Sequence, residues 1–301
     1  MSDEIKPAVL ALGYFDSVHK GHAGVIKAAR ALADELSANL VVFTFKGNLK
    51  AALSGEKDKY VYSPEERASI IKSLGADEIY YAPVDFNFLS LGKLAFLNKM
   101  NRKYAVASYV CGEDYRFGKF GEGKVKDLIA YAEQRKQKVL VVPDVVGEDG
   151  KKISTTLIKK LLAAGNVAKA NELLGRAYSL SGVVKDGRKV GREMGFPTAN
   201  VIPDPEKQTV KDGVYAGHVF IDGVKYKAVI NYGTRPTFHL SDKLLEVHII
   251  GFNGDIYGKE LTVYLDAFIR DIIKFYSEEE LAKRIELDKE AVTEGKFREF
   301  A

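Results

Sequence analysis

The chain has 301 residues, 46% of them hydrophobic and 29% charged, with 45 Lys and Arg against 41 Asp and Glu. That length and balance suit a globular protein of two domains, and a net charge of +4 excludes the strongly basic footprint of a dedicated nucleic-acid binder. A single cysteine, Cys111, excludes an internal disulfide and a multi-cysteine metal site; with a polar start (MSDEIKP) and apolar runs too short for a bilayer, it points to a soluble cytoplasmic protein without a signal peptide or a membrane partner.

In chain order, Ala8–Leu12 reads as a buried strand and Gly24–Leu36 as a helix. Leu40–Phe45 is a second strand, and Pro64–Leu74 a helix opened by a capping box of Ser63 and Glu66. Strands at Ile79–Ala82, Tyr104–Val110 and Lys138–Val142 alternate with helices at Lys93–Lys99 and Lys124–Arg135. Val/Leu/Ile-rich strands alternating with helices predict a parallel α/β sheet covered on both faces, a Rossmann-like domain. Ligands of such sheets bind beyond the carboxyl ends of the strands.

After helical stretches at Thr155–Ala164 and Val167–Leu174 the pattern changes to short strands at Tyr178–Val184, Val214–Ile221, Lys225–Ile230, Leu244–Phe252 and Glu260–Phe268. Asp222-Gly223 signals a hairpin. In Leu244–Ile250 the apolar Leu245, Val247 and Ile249 alternate with Glu246 and His248, which predicts one buried and one open face. A small antiparallel barrel or sandwich is expected, closed by an amphipathic helix at Ser277–Val292. The boundary is placed at Gly175–Arg176, dividing the chain into residues 1–176 and 177–301.

Three segments carry chemistry. GYFDSVHKGH, Gly13–His22, runs from the first strand into the first long helix. A helix N-terminus offers unpaired N–H groups and positive potential, so His19 and His22 with Gly21 between them suit a polyphosphate. The other reading is a polar turn with exposed histidines; the position after strand one favours the phosphate. GKFGEGKV, Gly118–Val125, imitates a phosphate loop but has Val125 where a hydroxyl should reach magnesium, and reads as a flexible glycine turn. GFPTAN, Gly195–Asn200, puts Thr198 and Asn200 two apart on an extended segment, on one side of it. Read alone, PTAN is an ordinary strand start and Glu246 an ordinary solvated glutamate.

GYFDSVHKGH, CGEDYRFGKFGEG (Cys111–Gly123), ISTTLIKKLLAAGNVAKANELLGRAYSLSG (Ile153–Gly182), GREMGFPTAN (Gly191–Asn200), NYGTRPTF (Asn231–Phe238), LEVHIIGF (Leu245–Phe252) and DIYGKELTV (Asp255–Val263) occur in collinear order over nearly the whole chain. Together they resemble the prokaryotic bifunctional riboflavin kinase/FMN adenylyltransferase (FAD synthetase) family. For the first half the resemblance implies transfer of AMP from ATP to FMN. His19 and His22 match the catalytic HxGH signature, and Gly13, Phe15, Asp16 and Gly21 belong to the same ATP-binding turn. Ser154, Thr155, Thr156 and Lys159 correspond to a second phosphate element of the form SSTxxR, and Gly112, Glu113 and Asp114 to a turn on the flavin side.

For the second half it implies phosphorylation of riboflavin by ATP. Thr198 and Asn200 would hold Mg2+ with the nucleotide phosphates, Gly195 and Pro197 would shape the turn beneath them, and Glu246 would be the catalytic base. Asn231, Thr234, Arg235 and Arg270 match the flavin side. Three departures bear on the first half: Ser17 replaces a glycine, Lys159 an arginine, and TFKGNLK (Thr44–Lys50) lacks a Pro-His-Pro. They leave room for a kinase with a weak or inactive adenylyltransferase domain. A non-catalytic flavin-binding regulator and an aminoacyl-tRNA-synthetase-like protein are further alternatives. The first is opposed by Thr198, Asn200 and Glu246 together, the second by the absence of a KMSKS-like loop. His218, His239 and His248 are expected to be barrel-surface histidines without a role.

Overall fold

The computed structural model describes residues 6–55, 58–148, 150–185, 196–234 and 243–296. By packing, the chain divides into two units, Met1–Thr155 and Thr156–Ala301.

In the first unit the order is β1 (Ala8–Leu12), α1 (Lys20–Glu35), β2 (Asn39–Phe45), α2 (Leu49–Ser54), α3 (Pro64–Ser73), β3 (Glu78–Ala82), α4 (Phe86–Leu89), α5 (Lys93–Lys103), β4 (Val106–Gly112), β5 (Arg116–Phe117), β6 (Gly123–Lys124), α6 (Val125–Glu133) and β7 (Lys138–Val142). The five long strands form a parallel sheet in the order β3-β2-β1-β4-β7. β1 lies at its centre and is buried throughout. Its alternation feeds two cores. Ala8, Leu10 and Leu12 pack with Phe43, Phe96 and Leu128, while Val9 and Ala11 pack with Ile26, Ala29 and Ile71 on the other face. Each fully buried Val, Leu or Ile side chain among them contributes about 1.5–3 kcal/mol against exposure. The capping box before α3 is present, with Ser63 N–H donating to Glu66 Oε2 at 2.8 Å and Glu66 N–H donating to Ser63 Oγ at 3.3 Å. α1 starts four residues earlier than its apolar periodicity alone indicates, because His19 caps it.

The GKFGEGKV stretch is a hairpin in which β5 pairs with β6 and leads into α6. Gly118 is required there: its φ is +75°, and a Cβ would sit 2.8 Å from Lys93 N.

The second unit contains α7 (Thr155–Ala163, whose first residue belongs to the first unit), α8 (Val167–Leu174), β8 (Tyr178–Lys185), β9 (Thr198–Val201), β10 (Gly213–Ile221), β11 (Val224–Thr234), β12 (Lys243–Ile249), β13 (Glu260–Arg270) and α9 (Glu278–Glu294). The six strands close into an antiparallel barrel in the order β10-β11-β12-β9-β8-β13. Ile221 and Val224 pair across Asp222 and Gly223, whose φ angles of 49° and 80° make the primed turn that the dipeptide signals.

Where Gly175–Arg176 was expected to separate the domains, the packing division falls at Thr155–Thr156, since α7 and α8 join the barrel. Lys211 N–H donates to Leu162 O at 3.3 Å, Asn171 Nδ2 donates to Leu265 O at 2.8 Å, and Tyr178 N–H donates to Asn171 Oδ1 at 2.7 Å.

The expected open face of β12 is also covered. Leu244 and His248 are buried, and Val229, which lies opposite His248, packs with Val214, Ala216 and Val292 of α9 on the outer side of the barrel. His218 is buried too, with its Nδ1 2.8 Å from Asp266 Oδ2 and its ring stacked on Tyr264. These two are therefore not surface histidines; His239 lies outside the described residues.

Candidate active sites

The first site is built by turns at neighbouring strand ends. In the parallel register Leu12 of β1 lies beside Cys111 of β4, so the Gly13–His22 turn and the Gly112–Asp114 turn leave the sheet side by side. This is the switch point where the chain has passed from β1 to β2 on one side and to β4 on the other, the usual place for a ligand crevice. Gly13 follows β1 directly, and Phe15 and Val18 adopt φ angles of 52° and 39°, an uncommon backbone for such residues. Phe15, Asp16, Ser17 and His19 are buried within the turn, which leaves Gly21 and His22 partly accessible. Thr44 Oγ1 at the end of β2 donates to Tyr14 O at 2.5 Å and fixes the turn to the sheet.

His19 is the N-cap of α1, and its Nδ1 accepts from His22 N–H at 3.2 Å. A neutral His19 therefore carries its proton on Nε2. The two imidazoles stack with centroids 3.7 Å apart, and Phe15 meets His22 edge to face at 5.3 Å. His22 Nδ1 has no hydrogen-bond partner among the described residues. The protein packed around His22, then His19 and the Lys152 ammonium, hold it well below the usual histidine range of about 6.5, so its ring is neutral at neutral pH.

Of the second phosphate element, Thr155 opens α7 and its Oγ1 lies 2.9 Å from Ser17 Oγ. The hydroxyl that replaces a glycine hydrogen thus ties the histidine turn to the Ser154–Thr155 segment. Thr156 and Lys159 fall on the second unit's side of the division. Beside Gly112, Glu113 Oε2 accepts from Asp144 N–H at 3.3 Å, and Asp114 pairs with Lys152 at 2.6 Å. Lys152 also pairs with Asp144 at 2.7 Å, so one ammonium joins the turn after β4 to the loop after β7. Sequence reasoning missed Lys152 and Asp144. The available signal was an acidic residue just past the end of a parallel strand.

The second site is built by register. Asn231 of β11 lies opposite Glu246 of β12, and Glu246 lies opposite Asn200 of β9. Directly opposed residues of antiparallel strands share a face, so the three side chains form one row across the barrel's outer side. Asn231 Nδ2 donates to Glu246 Oε2 at 2.9 Å. Asn200 is buried, and its Oδ1 has no hydrogen-bond partner among the described residues. Thr198, two residues earlier and on the same face, lies opposite His248. Pro197 O is 3.0 Å from His248 Nδ1. Thr234 is exposed at the end of β11; Gly195 and Arg235 lie outside the described residues.

Arg270 ends β13 with its guanidinium on Asp288 of α9, Nε at 3.1 and 3.0 Å and Nη2 at 2.6 Å, while Nη1 donates to Asp271 O at 3.1 Å. Arg284 reaches the same buried carboxylate at 3.2 Å. Asp288 was not anticipated; its signal was an acid four residues after Arg284 on the packed side of the last helix.

Two family models match, FAD synthetase over residues 1–157 and riboflavin kinase over residues 174–295. The bifunctional riboflavin kinase/FMN adenylyltransferase of Listeria monocytogenes is 35% identical over 285 residues, covering 94% of this chain and 90% of the relative. That of Bacillus subtilis is 34% identical over 295 residues, covering 96% and 93%. A crystal structure described as a macrolide-efflux protein from Streptococcus pneumoniae superposes with a TM-score of 0.89 at 34% identity, over 96% of this chain and 94% of that one. Among the described residues no helix is long and apolar enough to cross a membrane. With its two halves matched in order and its relatives aligned almost end to end, the chain belongs to the bifunctional riboflavin kinase/FMN adenylyltransferase family.

Proposed function

We propose that the protein phosphorylates riboflavin to FMN at the barrel and adenylylates FMN to FAD at the parallel-sheet unit, consuming ATP in each step. The observation that carries the reading is the row Asn231–Glu246–Asn200 with Thr198 beside it, which sets one carboxylate next to two neutral oxygen donors.

In the kinase step Glu246 accepts the proton of the terminal ribityl hydroxyl as that oxygen attacks the γ-phosphorus of ATP. The Asn231 amide orients the carboxylate for this. The Thr198 hydroxyl and the Asn200 amide oxygen are hard ligands suited to Mg2+, and the Asn200 oxygen is buried without a hydrogen-bond partner among the described residues. Bound there, the ion offsets charge on the nucleotide phosphates. Pro197 shapes the approach to that pair. Thr234 and Arg235 serve the flavin side, and Arg270 serves it by holding α9 through Asp288.

In the adenylyl step a phosphate oxygen of FMN attacks the α-phosphorus of ATP and pyrophosphate leaves. The neutral His22 ring and the Nε2–H of His19 donate to phosphate oxygens as negative charge builds, with Gly13, Phe15, Asp16 and Gly21 forming the turn that presents them. Ser154 and Thr155 hold the remaining phosphates, and Gly112, Glu113 and Asp114 border the flavin side. The Ser17–Thr155 bond supports a working first site over an inactive one, since it uses the departure at Ser17 to join two phosphate-binding segments.

Incubation with riboflavin, ATP and magnesium, followed by chromatography, tests the proposal. FMN and then FAD accumulate; unchanged riboflavin refutes it.

A further inference from the structure

His248 stands two residues beyond Glu246 on β12, directly opposite Thr198. Its Nδ1 lies 3.0 Å from the carbonyl oxygen of Pro197, the residue that leads into β9. A carbonyl only accepts, so Nδ1 carries the proton and donates. The ring also meets Phe196 edge on, with centroids 5.6 Å apart, and the Lys289 ammonium of α9 lies 5.9 Å from the centroid of that phenyl ring. The peptide just ahead of Thr198 is thus held from two sides. β9 is only four residues long. So short a strand has few ladder bonds to fix the rotation of its first residue, and a side-chain clamp at its start governs where the Thr198 hydroxyl points.

We propose that His248 is a positioning residue of the phosphoryl-transfer site: its ring N–H clamps the Pro197 carbonyl, so that the Thr198 hydroxyl and the Asn200 amide oxygen face the nucleotide's magnesium together. This rests on the reading that Thr198 and Asn200 take that ion. The clamp explains why a histidine, and not an apolar residue, occupies a buried place between Val229 and Thr198. It also gives β12 two duties toward one reaction, the base at Glu246 and the alignment of the metal strand at His248.

Three substitutions separate the clamp from mere filling of space. His248→Phe keeps the ring without a donor. His248→Gln carries its amide to the Nε2 position, and His248→Asn returns an N–H near Nδ1. Magnesium-dependent ADP binding by calorimetry and the magnesium activation curve of riboflavin phosphorylation are measured for each. His248→Phe and His248→Gln weaken magnesium-dependent binding about tenfold, in the range typical of groups that orient metal ligands, and raise the half-saturating magnesium in step. KM for riboflavin moves less than about twofold, and His248→Asn recovers most of the loss. Parental magnesium affinity in both the Phe and Gln variants, or equal loss in all three, overturns the proposal. Asn200→Ala is run alongside: if it loses magnesium-dependent binding while the Phe and Gln variants keep it, only the role of His248 falls. If Asn200→Ala keeps it as well, the metal-site reading falls.

Discussion

The two proposed phosphate-handling sites are made by different means. In the parallel-sheet unit the two histidines come from one contiguous turn between β1 and α1, where His19 caps the helix and stacks on His22. In the barrel the groups come from three strands, and only cross-strand register aligns Asn231, Glu246 and Asn200. In the proposed reading the first site works with N–H donors, the second with a carboxylate and neutral oxygens. Chemistry follows: donors suit charge building on phosphate oxygens, whereas a base and a cation site suit activation of an alcohol.

Substitutions that strike one site and spare the other sharpen this contrast most. Glu246→Ala lowers riboflavin phosphorylation about a thousandfold, within the range for loss of a general base, while adenylylation of supplied FMN continues. Equal loss of both steps breaks the contrast. His22→Ala lowers FAD formation from FMN by about a hundredfold or more, the scale of one lost transition-state donor, and leaves FMN formation in place. FAD synthesis at the parental rate removes His22 from the reaction.

The Asp288 carboxylate ranks next. Asp288→Ala strands the Arg270 guanidinium against the barrel and costs about 3 kcal/mol of stability in denaturant titration, as for other broken buried ion pairs. A loss below about 1 kcal/mol would place the pair among surface salt bridges instead.

Histidine ionisation gives a smaller, pH-dependent effect. His22 binds its proton less readily folded than unfolded, so the unfolded chain holds more protons below about pH 6.5 and stability falls as pH drops through that value. His22→Asn flattens that decline in thermal unfolding of the protein. An unchanged slope contradicts the depressed ionisation. Smallest is Ser17→Ala, which removes one hydroxyl contact to Thr155 and costs about 1 kcal/mol, read from the unfolding midpoint.

Most of the fold was legible because both halves obey simple periodicities. β1, β7 and α8 lie where apolar patterning puts them, and Asp222-Gly223 makes the hairpin that its dipeptide signals. The histidine turn was legible for the same reason: its parts are adjacent in sequence. The burial of His248 was not, because a period-two pattern shows which residues share a face but not what packs over it. Nor was the Lys152 bridge between Asp114 and Asp144, whose members come from separate loops. Arg270 was read toward the flavin, while its hydrogen bonds run to Asp288 on a helix that strand patterning does not place.

The most direct measurement is complementation in solution. Purified Glu246→Ala protein and His22→Ala protein are each given riboflavin, ATP and magnesium, singly and mixed, and the flavins are separated by chromatography. Alone, the first leaves riboflavin unconverted and the second stops at FMN; mixed, they yield FAD, because free FMN from one barrel is adenylylated by the other protein's first unit. A mixture that makes no FAD, although each variant keeps its fold, contradicts two chemically separate sites.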